Sequence, residues 1–250
     1  MSRRTIVITI IIIIVAFLVI AFIFWKKSGT PAEEQNGTKE NTGAATLPPA
    51  EEIYKGHLPV ESVKSADQPD YINQAVSDFN AKTLNGEDVS PGYQQAVLVD
   101  ENKKIIPLDK FESAQNISIN KKLKSFLDQD DFQIANCNSA KAKGIALILN
   151  VKLFSNRPDI SKEVAGAMKE WEPYILKDLH NYLYPDISFS EKQLGETLFF
   201  KQGKFRYAEV ALSNGEKVSI NYAIIFDSII ISNSPGCLDK IYESAETGEP

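Results

Sequence analysis

The sequence predicts an α+β domain on a membrane tether: an N-terminal transmembrane helix, a disordered linker, then an antiparallel β-meander packed with two main helices. Three observations carry this. An apolar run of twenty residues spans Ile6 to Trp25. A stretch from residue 28 to 68 has almost no hydrophobic periodicity. Beyond it, period-two segments alternate with two segments of helical period. The predicted boundaries are 1–27 for the anchor, 28–68 for the linker and 69–250 for a water-soluble domain.

In the anchor, only Thr9 and the amphipathic Trp25 break the apolar run. Twenty helical residues reach roughly 30 Å, the thickness of a bilayer's hydrocarbon core. Nine of the twenty are isoleucine, which favours strands in water. Strands of that length are rare, however, and in lipid a helix satisfies its own backbone. The run ends in Phe22-Ile23-Phe24-Trp25-Lys26-Lys27, with no small-residue cleavage site. A retained signal-anchor is therefore expected, with the lipid bilayer as partner of Ile6–Trp25. Arg3 and Arg4 on one side and Lys26 and Lys27 on the other nearly balance. The acidic spacer that follows places the carboxy-terminal bulk outside the cytoplasm.

Residues 28 to 68 hold seven acidic and three basic side chains and include Pro48-Pro49. Such a segment cannot bury enough apolar area to offset its ordering entropy. The whole chain carries −6 and has no basic stripe, which argues against nucleic-acid binding.

In the folded part, a helix with Ile72, Ala75, Val76 and Phe79 on one face is expected after Asp70. Ala96–Val99 and Lys104–Ile106 form a hairpin across Asp100-Glu101-Asn102. Asp109 to Asp128 holds two short helical pieces burying Leu123, Phe126 and Leu127. Asp131–Cys137 and the nearly continuous apolar Gly144–Phe154 are strands, the second covered on both faces. A long helix from Ser161 to Leu183 repeats Val164, Met168, Trp171, Ile175, Leu179 and Tyr182 along one stripe, with Pro173 interrupting it. Strands at Thr197–Lys201 and Lys204–Leu212 follow. Asn214-Gly215 is a hairpin signal suited to a turn with positive φ at both residues. Val218 to Phe226 alternates with period two, and a turn at Asp227-Ser228 leads into Ile229–Ser232. Ser234-Pro235 opens a last helix that Leu238, Ile241 and Tyr242 dock onto the sheet. Both main helices are expected on one face.

Several stretches carry a likeness: Ile106 to Phe111, Leu123 to Asp128, Gly144 to Lys152, Trp171-Glu172 with Leu176 to Leu179, and Tyr222 to Leu238. They resemble a family of single-pass membrane-anchored proteins of uncharacterised function from small-genome candidate-phyla bacteria. The resemblance spans about Lys104 to Glu243. It implies membrane anchoring and no known activity, cofactor or site residue.

Candidate chemistry is sparse. Ser118-Ile119-Asn120-Lys121 fits a Ser-x-x-Lys pattern but lacks its companion elements, so chance explains it. Asp128, Asp130 and Asp131 could supply oxygens to calcium but lack the glycine and distal glutamate of a calcium loop. A solvated turn is the simpler reading. His57 is read as a loop histidine and His180 as a helix-end one, so His-based catalysis or zinc binding has little support. Asn36 and Asn116 begin glycosylation sequons only in a host that glycosylates them, which the resemblance argues against. Cys137 and Cys237 either form one disulfide or stand as two buried thiols; spacing alone leaves both open. The expected function is an extracytoplasmic binding or scaffolding domain, with an envelope protein as partner and no cofactor. The alternative is a cell-envelope hydrolase whose site the sequence does not reveal.

Overall fold

The computed structural model describes residues 60–84, 93–139, 142–152, 160–195 and 197–247. The expected anchor, His57, the first sequon and the linker up to residue 59 lie outside the described residues. Among the described residues no helix is long and apolar enough to cross a membrane.

The fold is α+β, built on one eight-stranded sheet. Its strands are β1 (Val60–Ser62), β2 (Tyr93–Val99), β3 (Leu127–Ser139), β4 (Ala142–Val151), β5 (Phe200–Gln202), β6 (Phe205–Ala211), β7 (Lys217–Ile225) and β8 (Ser228–Ser232). Their spatial order is β1-β2-β3-β4-β8-β7-β6-β5. All neighbours are antiparallel except β1 and β2, so the sheet is mixed rather than a pure meander. The helices are α1 (Pro69–Leu84), α2 (Leu108–Gln115), α3 (Lys121–Lys124), α4 (Ile160–Trp171), α5 (Ile175–Leu183) and α6 (Pro235–Thr247).

Period-two alternation sorts the strands' side chains onto two faces. On one face Leu98, Ile134, Leu147, Leu149, Ile229, Ile231, Ile220 and Tyr222 form the main core with α1, α2, α4 and α5. On the other, Ala135, Ala146, Ile148, Ala223, Ile225 and Ile230 meet α6 through Leu238 and Ile241. The expectation of both main helices on one face is thus corrected: the long helix and the last helix cover opposite faces. A sheet whose strands are apolar on both sides needs two covers. Alanines at 135, 146 and 223 leave room for α6 to lie close.

The domain also begins earlier than expected. Val60–Ser62 pairs with Val97–Val99, and Val63 is only 1% exposed. The last residues assigned to the linker are therefore part of the sheet. Of the expected early hairpin, the turn forms but its second arm contributes only a bridge, Val99 to Ile105. Asp100 Oδ1 accepts the Asn102 and Lys104 N–H groups, an Asx-type turn.

The long helix divides as Pro173 requires. α4 stops at Trp171, a 3₁₀ turn spans Glu172–Tyr174, and α5 resumes at Ile175. The β6–β7 hairpin forms at Asn214-Gly215, but only Gly215 has positive φ (87°). Leu212 N–H donates to the Glu216 carbonyl, so the loop has three residues with glycine in the left-handed position. The last tight turn sits one residue earlier than expected, at Phe226-Asp227, because Ile225 pairs with Ser228. Phe226 has φ 50° and is 77% exposed.

α6 is seated by a close approach. A Cβ on Gly144 would lie 2.5 Å from both Asn233 Oδ1 and Ser234 Cβ, so only glycine lets the helix start rest on β4. Asn233 Oδ1 accepts from Ile145 N–H, and its Nδ2 donates to the Leu183 carbonyl. One side chain therefore ties β4, α5 and the entry to α6 together. Ser234 Oγ accepts from Cys237 N–H at 3.3 Å, the expected cap.

Trp171 is 1% exposed and belongs to the main core. Replacing it with alanine removes a side chain that buries roughly 150–250 Å² and should cost about 3–5 kcal/mol. Thermal or urea unfolding of the full chain in detergent measures this, and an unchanged midpoint contradicts it.

Candidate binding grooves and buried polar locks

Two buried carboxylates organise the polar interior. Glu172, 7% exposed, stands at the kink between α4 and α5. Arg206 of β6 grips it with both Nε and Nη2, the latter at 2.9 Å, and the Tyr222 hydroxyl donates to its Oε1 at 2.7 Å. A fork of this kind matches a carboxylate in shape as well as charge. Desolvation, then the Glu172 carboxylate, push the Tyr222 phenol up, so it stays a neutral donor. The second lock is Glu112 of α2, which accepts from Ile119 N–H at 2.8 Å and pairs with Lys124. Each carboxylate spends its oxygens on holding one segment against another.

The sequence-predicted residues are dispersed. Ser118 donates its backbone N–H to the Asp178 carbonyl, while Lys121 begins α3 with no bond to that serine. Asp128 to Asp131 form a bulge: Leu127 pairs with Val151 and Phe132 with Leu149, leaving four residues opposite Asn150. Burial raises the Asp131 carboxyl pKa, opposed by Asn150 and reinforced by Asp128 and Asp227. Among the described residues no three His, Cys, Asp or Glu side chains are placed to share a metal ion. His180 Nδ1 donates to the Lys177 carbonyl at 2.8 Å and the ring sits edge-on to Phe189, a helix-end position. Asn116 is the left-handed cap of α2, its carbonyl taken by Asn181. Cys137 and Cys237 are joined in a disulfide with Cα atoms 5.5 Å apart, which decides between the two alternatives. The bond crosses from β3 to α6 and closes a loop of 100 residues.

Asp178 departs from the ordinary carboxylate. Burial raises its pKa above 3.8, while the hydrogen bond from Trp171 Nε1, at 2.7 Å, and the charges of Lys177 and His180 pull it down.

Two surface clefts stand out among the described residues. One, about 430 Å³, lies between α1, α2 and the end of α5, lined by Asn73, Ser77, Gln115, Asn181 and Asp186. The other, about 680 Å³, flanks the edge of β6 beside Ser190, Lys192, Gln193, Thr197 and Leu198. There Leu198 and Phe200 are 78% and 56% exposed, and Gln193 Nε2 donates to the Ala211 carbonyl at 2.9 Å. Sequence reading missed this groove because it arises where the chain leaves the sheet: Thr197 turns in to donate to the Pro173 carbonyl. It also missed the Glu172 lock. Its signal was Arg206 sharing a strand face with Ala208, a charge on an apolar side. No family model, curated protein or solved structure matches the chain.

Two outcomes follow from these locks. Arg206→Ala leaves a buried carboxylate without its cation and should cost about 3 kcal/mol, whereas Glu172→Gln combined with Arg206→Met should recover most of it. Chemical denaturation of the three chains checks this. For Asp178, a raised folded pKa means that its contribution is fully present below about pH 3.8 and lost as pH rises through the folded value. Asp178→Asn keeps an acceptor for the indole without the charge. It should therefore raise the unfolding midpoint at pH 7 and lose that advantage at pH 3; a lowered midpoint at pH 7 contradicts the assignment.

Proposed function

We propose that the chain is a single-pass, membrane-tethered binding domain that works outside the cytoplasm. The observation that carries this reading is the disulfide between Cys137 and Cys237. Structural disulfides persist in oxidising compartments and are rare where glutathione and thioredoxin keep thiols reduced. Here the bond links the sheet to the helix covering its second face, so it serves the fold. The apolar run Ile6–Trp25 supplies a tether of bilayer length, and the acidic segment after it a spacer. The resemblance to anchored candidate-phyla proteins fits the same layout. Binding rather than chemistry is favoured by how the buried groups are used: Glu112, Glu172 and Asp178 are committed to partners within the fold. The open polar groups lie instead along a surface groove at the sheet edge.

The test is the redox state and sidedness of the chain in cells. After acid quenching, both cysteines should resist alkylation until reductant is added. Protease applied outside an intact inner membrane should cut the chain ahead of Val60, and alkaline carbonate should leave the chain with the membrane. Free thiols, or full protection from protease, overturn the extracytoplasmic reading; extraction by carbonate overturns the tether.

A further inference from the structure

The outer edge of β6 is only partly used. Leu212 N–H bonds the Glu216 carbonyl within the β6–β7 hairpin, so Leu212, Val210 and Ala208 turn their backbone groups toward β7. Successive residues alternate in direction, so Tyr207, Glu209 and Ala211 turn theirs outward. Tyr207 meets Phe200 of β5, and that strand extends no further along the edge. The Ala211 carbonyl is met by Gln193 Nε2, a side-chain amide standing where a neighbouring strand would be. Between these two, the N–H and carbonyl of Glu209 and the N–H of Ala211 face the 680 Å³ groove with no strand beside them among the described residues.

Such an edge is a template for another strand. The groove's walls define what that strand should carry. Leu198, Phe200 and Val210 offer apolar surface on its flanks. Glu209 is already neutralised by Lys217, Nζ to Oε2 3.1 Å. Lys192, exposed at the groove, makes no ion pair among the described residues. Among the described residues that line the groove, the uncompensated charge is therefore positive.

We propose that this edge receives an extended peptide segment of a partner protein by strand addition, with apolar side chains against Leu198 and Phe200 and an acidic side chain near Lys192. Main-chain hydrogen bonds to Glu209 and Ala211 supply the pairing, and the alternating pockets supply the choice of sequence. The Gln193 amide holds the Ala211 carbonyl until the peptide replaces it. This inference rests on the binding reading but not on membrane topology, so the two can fail separately.

The probe is acetyl-Thr-Val-Thr-Val-Asp-Val-Thr-amide, with an analogue bearing lysine for aspartate. The full chain is held in detergent micelles and read by hydrogen exchange and fluorescence anisotropy. Binding of the aspartate peptide should slow exchange in the fragment covering residues 205–213. Ala211→Pro removes an outward N–H, which an edge strand tolerates. It should fold as wild type and weaken the peptide about tenfold. Lys192→Glu should weaken the aspartate peptide roughly threefold and strengthen the lysine analogue. Val210→Pro, facing β7, is the control that should destabilise the fold. Absence of slowed exchange at millimolar peptide, undiminished binding by Ala211→Pro, or unfolding of Ala211→Pro as severe as that of Val210→Pro each overturns the proposal. An unchanged preference in Lys192→Glu overturns the acidic side chain.

Discussion

The pairing of β4 with β8 is the constraint on which the rest of the fold depends. Residues 146–150 meet residues 232–228 in antiparallel register, and this one seam joins two halves of the sheet. One half, β1 to β4, precedes the long helix; the other, β5 to β8, follows it. The seam lies at the centre of the sheet, so its residues are buried from both sides. Leu147 and Leu149 face the main core, and Ala146 and Ile148 face α6. The pairing closes a loop of about eighty residues, an entropic cost that grows only slowly with length and that burial on two faces offsets.

Two consequences spread from that seam. On one side, the helical cover breaks at Pro173, where a 3₁₀ turn separates α4 from α5. The turn there brings Glu172 inward, where a bare carboxylate is costly. Arg206 and Tyr222, on neighbouring strands of the second half, satisfy it and in doing so fasten the kink to the sheet. On the other side, α6 is the helix that covers the face among the described residues. A single helix of thirteen residues is a modest cover, and it is reinforced by the Asn233 hydrogen bonds, the close approach at Gly144 and the disulfide to β3. The covalent bond thus fastens α6 to the sheet from within a buried cluster.

The same geometry explains the groove at the far edge. β5 pairs with β6 over three residues and then departs, because Thr197 and Phe199 are drawn toward the helix kink and Tyr222. The kink that carries Glu172 is therefore also where the chain is held away from the edge of β6. The kink and the course of the chain beside β6 are linked through Pro173, whose carbonyl accepts from Thr197 N–H.

Much of this was written in local sequence. The apolar stripe through Trp171 and Ile175, the break at Pro173, the Asn214-Gly215 hairpin and the Ser234-Pro235 helix start are each set by side-chain period or backbone chemistry within a few residues. Such signals need no tertiary partner to be read. What they could not decide was which face each helix covers, that β1 adds in parallel at Val60, or that Cys137 meets Cys237 across 100 residues. They could not assign Glu172 its cation either, because Arg206 lies 34 positions away. The edge of β6 was beyond them for the same reason: an open edge is defined by the strand that is not beside it. Period and propensity act along the chain, whereas sheet order, disulfides, ion locks and grooves arise between segments that only the closed β4–β8 seam brings together.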